Sequence, residues 1–272
     1  MLTFTADKNR KLTKLALYHL PDLSYSTLMR LLRDKDVKVN GKRVNADVTL
    51  NVGDVVQIYY SPTPTTRYIE IYRDENIIVI DKKSGWTSEE VFADLCTMHG
   101  EVYFIHRLDR NTSGLMIFAL NAEAEKELLA GFKKRTFTKA YRAQVYGVPV
   151  VKSACLTAYL KKNSDTSTVR IYDAPVAGAV QIKTGYKLLS SNEDTSELEI
   201  TLWTGKTHQI RAHLAHIGHF VVGDGKYGNN AFNKSKKAKS QRLLAYSLTL
   251  CFSADSPLSY LDGKTFYSSL NY

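Results

Sequence analysis

The sequence lacks the features that mark several large classes of protein. Its 272 residues include three cysteines, Cys96, Cys155 and Cys251, and no Cys-x-x-Cys pair. This spacing argues against a disulfide framework and against a cysteine zinc site. No stretch approaches the roughly twenty apolar residues that cross a membrane, and the N-terminal segment lacks the charged-then-apolar layout of a signal peptide. We therefore expect a cytoplasmic protein with no membrane partner.

The sequence also lacks nucleotide-binding loops and an excess of acidic residues. The segment GDGKYG at Gly223–Gly228 lacks the Gly-Lys-Ser/Thr end of a phosphate-binding loop, and no Gly-x-Gly-x-x-Gly follows a predicted strand. The chain has 37 Lys and Arg residues and 27 Asp and Glu residues, which gives a net charge of +10. That charge favours a polyanionic partner, most simply nucleic acid, although an anionic membrane would also suit charge alone.

Patterning along the chain indicates two units joined by a linker. Residues 1–60 predict two short helices, the second beginning near Ser24, followed by a small sheet. An Asn-Gly pair at 40–41 predicts a hairpin turn, because both residues accept a positive φ. The segment SPTPTTR at 61–67 predicts the linker, since its prolines and hydroxyl residues cannot build a core.

The larger unit, residues 68–272, predicts an α+β fold on a mixed and mostly antiparallel sheet. Asn121 predicts the N-cap of a helix that stops at Gly131. Another helix is predicted over 207–217, with Thr207 as its N-cap. Because strands flank both helices, the polar loops at the strand ends are the first places to search for a site.

One such loop belongs to the segment FIHRLDRNTSGL at Phe104–Leu115. It places charged residues between two predicted apolar strands. Asp109 lies between Arg107 and Arg110, which we expect to keep its carboxylate ionised. On physical grounds alone, a salt-bridged loop aspartate and a catalytic aspartate are equally open interpretations.

The segment TGKTHQIRAHLAHIG at Thr204–Gly218 predicts a helix with one apolar side. Arg211 in its first turns is placed to pair with a buried carboxylate, in a structural or a catalytic-support role. His213 and His216 have a spacing that a metal ion could use. No glutamate lies between them and no third ligand stands out, so hydrogen-bonded histidines are favoured over a zinc site.

Two further segments are rich in basic residues. Phe132–Ala143 (FKKRTFTKAYRA) interleaves cations with aromatic rings, a pattern suited to phosphates and a stacked base. The alternative is a solvated strand with Tyr141 in the core. The lysines of Asn233–Arg242 would clamp a phosphate if the turn at Gly223–Gly228 borders a cleft, and would otherwise be solvated.

Together these segments resemble one known family. The motifs similar to those of RluA-type RNA pseudouridine synthases, in the family's order, are HRLDRNTSGL (His106–Leu115), KAYRA (Lys139–Ala143), GKTHQIRAHLAHIGH (Gly205–His219), GDGKYG (Gly223–Gly228) and RLLAYSLTLCF (Arg242–Phe252). Residues 10–60 resemble the S-four-type RNA-binding domain that often accompanies these enzymes. The resemblance implies a pseudouridine synthase fold for 68–272 and an RNA-binding module for 1–60.

It also implies a reaction, the isomerisation of uridine to pseudouridine within RNA, which needs neither metal nor organic cofactor. We expect the protein to be a monomer. Asp109 matches the family's essential aspartate, which either attacks as a nucleophile or removes a sugar proton. Tyr141 matches the tyrosine that stacks on the uracil, and Arg211 matches the basic residue paired with the aspartate. Leu243 falls near the apolar residue that packs the base. The uridine would have to leave its stem or loop to reach them.

The resemblance extends to two sets of contacts. The residues expected to bind the substrate are His106, Arg107, Leu108, Thr112, Lys206, His208, Gln209 and Leu243. The residues expected to bind RNA more widely are Arg30, Arg33, Lys38, Lys42, Arg43, Lys139, Lys234, Lys236 and Lys237. Ribosomal RNA is the expected target ahead of transfer RNA. A non-catalytic RNA-binding protein that keeps the fold is the alternative, and an intact Asp109 argues against it.

Overall fold

The computed structural model describes residues 1–20, 23, 25–60, 66–163 and 167–272. The chain divides into two compact units, Met1–Thr66 and Arg67–Tyr272. The predicted helix start at Ser24 and most of the predicted linker lie outside the described residues. None of the described helices is long and apolar enough to span a membrane.

The small unit combines two helices with short strands. Its elements are β1 (Leu2–Thr5), β2 (Arg10–Lys11), α1 (Leu12–His19), α2 (Tyr25–Arg33), β3 (Val37–Val39), β4 (Lys42–Val44), β5 (Thr49–Leu50) and β6 (Val55–Ile58). One antiparallel sheet has the order β1-β6-β3-β4, and β2 pairs with β5. Leu12, Leu28 and Val56 are fully buried in the core that the helices and strands share. The predicted hairpin turn is confirmed, because Asn40 and Gly41 have φ values of +50° and +78°.

The large unit contains one extended sheet. Its elements are β7 (Tyr68–Arg73), β8 (Ile77–Lys82), α3 (Ser88–His99), β9 (Tyr103–Phe104), β10 (Ser113–Ala119), α4 (Ala122–Lys134), β11 (Thr138–Tyr146), β12 (Ser153–Asn163), β13 (Thr168–Tyr172), β14 (Val180–Ser191), β15 (Thr195–Leu202), α5 (Gln209–His216), α6 (Asn230–Ser235), β16 (Leu243–Thr249) and β17 (Thr265–Tyr267). The main path runs β13-β12-β14-β15-β11-β16-β10-β8-β7. Among the described strands, β10 and β16 alone pair in parallel. The predicted α+β fold with a mostly antiparallel sheet is confirmed.

Strand β10 lies between β16 and β8 in the sheet and is buried along its whole length. Met116 and Phe118 contribute to a core shared with α3 and α5. Ile117, on the opposite face, packs in a second core that contains Leu128 of α4. Because β10 is covered on both faces, the loop that enters it, residues 105–112, is held against a rigid element.

Helix α4 begins where the sequence predicts and ends later. The Asn121 side chain accepts a hydrogen bond from the Ala124 N–H at 2.9 Å, which confirms the predicted N-cap. The helix continues past Gly131 to Lys134, and Arg135 ends it in the left-handed region. Gly131 serves close packing instead, since a Cβ there would lie 2.2 Å from the Phe137 ring. The prediction that Gly131 stops the helix is therefore wrong.

Helix α5 is shorter than predicted, and its N-cap differs. The residue before the helix is His208, with φ of +55° and no side-chain capping bond, so the prediction of Thr207 as the cap is wrong. The side chain of the first helical residue, Gln209, stabilises the turn before the helix instead. The Gln209 Oε1 accepts from the Lys206 N–H at 3.1 Å and from the Thr204 hydroxyl at 2.9 Å.

Replacing Gly114 with alanine should destabilise the large unit more than most single substitutions do. Gly114 has φ of +110°, and a Cβ there would lie 2.3 Å from the Ala245 carbonyl oxygen across the parallel pair. Strain and the backbone clash together should lower the free energy of unfolding by about 3 kcal/mol or more. Gly205→Ala, where nothing lies within 4 Å, is the control. Equal urea midpoints for the two variants would contradict this account.

Candidate active site

A cavity of about 570 Å³ opens between the loop that enters β10, the start of β11 and the segment that leads from β15 into α5. Its walls include every residue that the sequence predicts to be catalytic or to bind the substrate, namely His106, Arg107, Leu108, Asp109, Thr112, Tyr141, Lys206, His208, Gln209, Arg211 and Leu243. Residues from four distant parts of the chain therefore line one space.

Arg211 lies between two carboxylates. Its Nη1 donates to Asp109 Oδ2 at 2.9 Å, while Nε and Nη2 donate to the two oxygens of Asp224 at 2.7 and 2.9 Å. The backbone N–H groups of Lys226 and Tyr227 also donate to Asp224 at 2.8 and 3.1 Å. The bidentate pair with Asp224 thus orients the guanidinium that meets Asp109. The predicted pairing of Arg211 with a buried carboxylate is confirmed, because Asp224 is 1% exposed.

Asp224 remains ionised despite its position. Burial by itself would raise the pKa of this carboxyl group, but the hydrogen bonds and charge of Arg211, with those from the two backbone N–H groups, bring its pKa below the ordinary value. A buried carboxylate of this kind is sustained only while its cation stays in place. Asp224 lies in the GDGKYG motif, and nothing in that local pattern indicates its pairing with Arg211.

The two oxygens of Asp109 differ in their surroundings. Oδ2 accepts from Arg211 and lies 3.9 Å from His208 Nε2. No described residue donates a hydrogen bond to Oδ1, and the side chain is 22% exposed. Oδ1 is therefore the oxygen available to a molecule in the cavity.

The immediate neighbours of Asp109 in sequence do not hold it. Arg107 pairs with Glu89 at 3.3 Å, and Arg110 approaches Glu90 at 3.8 Å. Both arginines extend toward the acidic first turn of α3, where their charges remain largely solvated. The sequence predicts that they keep Asp109 ionised, but neither arginine pairs with it, and its ion-pair partner is Arg211 instead.

His208 is held in one tautomer by a chain of hydrogen bonds. The Val169 N–H donates to the Tyr227 hydroxyl oxygen at 2.8 Å, and that hydroxyl lies 2.8 Å from His208 Nδ1. Because the tyrosine oxygen accepts the Val169 bond and still carries its own proton, we infer that it donates to Nδ1, which leaves the ring proton on Nε2. Burial lowers the pKa of His208, so the neutral ring presents its Nε2–H toward Asp109.

Aromatic rings line the opposite wall. Burial, with the charge of Asp109, raises the pKa of Tyr141 to about 12, so its side chain is a phenol at neutral pH. His106 accepts from the Ile117 N–H at 3.2 Å and stacks on Phe132 at 4.6 Å. Burial lowers the pKa of His106 to about 3. The neutral rings of Tyr141, His106 and Phe132 offer flat surfaces that suit a planar ring.

Comparison with known proteins decides the family. Residues 76–216 match the protein family described as RNA pseudouridylate synthase. The chain belongs to this family. It is an isomerase that converts uridine in RNA into pseudouridine, which confirms the enzyme predicted from the motifs.

Individual relatives of the synthase agree with this. The Vibrio parahaemolyticus protein named ribosomal large subunit pseudouridine synthase C is 30% identical over 242 residues, 79% of this chain and 75% of the relative. An uncharacterised RNA pseudouridine synthase of Mycoplasma genitalium is 30% identical over 277 residues, 89% of this chain and 85% of the relative. The solved structure titled human RNA pseudouridylate synthase domain containing 1 has a TM-score of 0.61 at 25% identity, covering 78% of this chain and 93% of that one.

The predicted RNA-binding residues of the synthase are dispersed. Arg30 and Arg33 lie on α2, Lys38 on β3, and Lys42 and Arg43 on β4, all exposed or half-buried. All five side chains belong to the small unit, and their contacts with RNA stay a prediction.

The predicted lysines of the large unit fall into two groups. Lys139 lines the cavity, with its ammonium 4.8 Å from the centre of the Phe132 ring. Lys234, Lys236 and Lys237 lie at the end of α6, outside the cavity wall, and Lys236 pairs with Asp194. The condition for a phosphate clamp, a turn at Gly223–Gly228 that borders the cleft, is not met at this cavity, and RNA binding by these lysines stays a prediction.

The segment around α6 supports the site in another way. The Gly223 N–H donates to the Asn233 side chain at 2.8 Å, and the amide of Asn233 donates to the Asp224 carbonyl at 3.1 Å. The turn that carries Asp224 is thereby anchored to α6.

The paired histidines of α5 have separate partners. His213 Nδ1 lies 3.0 Å from the Thr184 hydroxyl, and His216 Nε2 lies 2.8 Å from Asp173. The prediction of hydrogen-bonded histidines is confirmed. In the described part of the chain, no group of three or more His, Cys, Asp and Glu side chains is arranged to hold a metal ion.

Replacing Tyr227 with phenylalanine should release His208 from its fixed tautomer. The donor to Nδ1 is lost, so both neutral forms of the ring become accessible. Long-range ¹H–¹⁵N correlation spectra report which ring nitrogen carries the proton. We expect the Nε2–H form in the wild type and a mixture in Tyr227→Phe. Tyr260→Phe, which loses a bond to Asp74, should leave the His208 signals unchanged. A wild-type ring protonated on Nδ1 would contradict the assignment.

Proposed function

We propose that this synthase acts on large-subunit ribosomal RNA and uses Asp109 as its essential catalytic group. Support for the target comes from relatives in Vibrio parahaemolyticus and Rickettsia felis that carry the name ribosomal large subunit pseudouridine synthase C. Support for Asp109 comes from one geometric observation. Its Oδ2 is fixed by Arg211 at 2.9 Å, while its Oδ1 accepts no hydrogen bond from a described residue and the side chain lines the cavity.

The reaction requires a group that acts on the ribose. The N1–C1′ bond of uridine breaks, the uracil turns, and a C5–C1′ bond forms. The C5 proton is released, and N1 gains a proton. Oδ1 of Asp109 either attacks C1′ or removes a proton from the adjacent sugar carbon. Arg211 orients the carboxylate for either step, so positioning rather than unusual acidity provides the catalysis.

The uridine enters the cavity only after leaving its stack. Turning a nucleotide out of a stem or loop costs roughly 2–4 kcal/mol. Tyr141 and Leu243 line the cavity and recover part of that cost by stacking on and packing against the uracil. A phenol with a pKa raised to about 12 stacks without adding a negative charge beside Asp109.

The small unit supplies a second RNA contact. Its resemblance to the S-four-type domain and the exposed cations of α2 and β4 support this role. Two tethered contacts reinforce each other, because binding at one raises the effective concentration at the other. The overall charge of +10 predicts affinity that falls steeply as salt rises.

Tritium release tests the proposed function. Transcripts of large-subunit ribosomal RNA and of transfer RNA, labelled with tritium at C5 of uridine, are incubated with the full chain. We expect release from the ribosomal transcript, because C5 loses its hydrogen when the new bond forms. Release from transfer RNA alone would overturn the target, and release from neither would overturn the function.

A further inference from the structure

The sheet of the large unit has an open face beyond the cavity. In β12, β13 and β14 alternate side chains, among them Leu160, Ile171 and Ile182, pack in a core with Ala212 of α5. The intervening residues project from the opposite face and, apart from the buried Gly185, are exposed or half-buried.

This outer face carries three aromatic and three basic side chains, Tyr159, Tyr172, Trp203, Lys161, Arg170 and Lys183, which we call the aromatic–basic platform. The strand register places Tyr159 opposite Tyr172 and Lys161 opposite Arg170. The Trp203 N–H donates to the Lys183 carbonyl at 3.3 Å, so these two residues are also neighbours. Arg170 lies 5.3 Å from the centre of the Tyr172 ring, and Lys183 lies 4.7 Å from that of Trp203.

Within the described part of the chain, the charges of the platform have no acidic partner. The strand segments 157–161, 168–172, 181–183 and 201–203 contain no Asp or Glu. Among the described residues, none forms a salt bridge with Lys161, Arg170 or Lys183. Three cations that lack acidic partners and lie among flat rings complement a chain of phosphates and bases.

Trp203 connects the platform to the cavity. Its side chain is 43% exposed and also lines the cavity wall. Gly185 on the adjacent strand leaves room for the indole, since a Cβ there would lie 2.8 Å from Cζ3. The ring therefore lies close to the sheet at the rim. From Trp203 across to β13 are three strand spacings, about 14 Å.

We propose that the aromatic–basic platform binds a single-stranded RNA segment next to the uridine that enters the cavity, with Trp203 stacking on the base at the rim. The identification of this RNA as substrate rests on the proposed function. Stacking on aromatic side chains tolerates any base, so the platform holds the strand while the cavity selects the uridine.

Direct binding tests the platform with the full chain and a labelled oligouridine of about ten nucleotides. We expect Trp203→Ala to weaken binding about tenfold or more and Trp203→Phe to keep most of the affinity. Lys183→Gln should weaken binding and lower the salt slope by about 0.7. The matched control is Lys264→Gln, which removes the same charge and an ammonium 3.7 Å from the Tyr72 ring centre. Tyr267→Ala, at an exposed ring of β17, controls for loss of an aromatic side chain.

Tryptophan fluorescence gives a second readout. The chain has two tryptophans, so stacking on Trp203 should quench emission when the oligouridine binds, and Trp203→Phe should lose most of that quenching. If Trp203→Ala and Lys183→Gln bind like their controls, or no quenching occurs, the platform is wrong. Binding is measured apart from tritium release. If the platform binds the oligouridine but the protein releases no tritium, the proposed function is wrong and the platform stands.

Discussion

Replacing Asp109 with asparagine should reduce tritium release at least about 10³-fold. An amide has nearly the shape of the carboxylate, but it neither attacks a sugar carbon nor accepts a proton from one. The variant should bind RNA as well as the wild type or more tightly, because it removes a negative charge from the cavity. Loss of turnover with binding retained would assign the carboxylate to the chemical step.

Asp173→Asn is the matched control for this variant. Asp173 is an exposed carboxylate that pairs with His216 and does not line the cavity. We expect its turnover to equal that of the wild type. An Asp109→Asn protein that keeps more than about a tenth of the wild-type rate would contradict the role proposed for Asp109.

Replacing Arg211 with methionine should abolish turnover and destabilise the fold together. Asp224 is 1% exposed and would lose its cation while remaining buried. Breaking a buried pair in this way costs about 3–5 kcal/mol of unfolding free energy. Protonation of Asp224 removes the stranded charge, so the difference from the wild type should shrink as the pH falls. Urea unfolding at several pH values measures both effects.

Two further variants separate the structural role of Arg211 from its catalytic role. Arg107→Met breaks an ion pair whose side chains are 68% and 56% exposed, and we expect a loss of at most about 1 kcal/mol. Combining Arg211→Met with Asp224→Leu removes both buried charges and should restore part of the stability. Turnover should stay absent, because Asp109 still lacks its partner. Normal turnover in any Arg211→Met protein would contradict the pairing.

The parts of the structure that depend on local chemistry could be predicted from the sequence. The turn at Asn40-Gly41 and the N-cap at Asn121 need only the residues beside them. The residues around the cavity were also identified, because the family resemblance relates segments that composition and periodicity leave separate.

The partner of Asp109 could not be found from its neighbours. Arg107 and Arg110 are adjacent in sequence, yet the bond comes from Arg211, 102 positions away. Such a pairing depends on how β10 and α5 pack, which local patterns do not report. The same holds for Gly131, whose role is set by the Phe137 ring above it, and for Asp224, which becomes an anchor only once α5 lies against its turn.

A crystal structure of the Asp109→Asn protein bound to a uridine-containing RNA tests the account most directly. We expect the uridine to be turned out of its strand, with its uracil against Tyr141 and Leu243. We also expect its ribose to touch the side chain at position 109, with Arg211 still bonded to Asp224. A uridine that remains stacked in the RNA, or a ribose that lies away from position 109, would contradict the account.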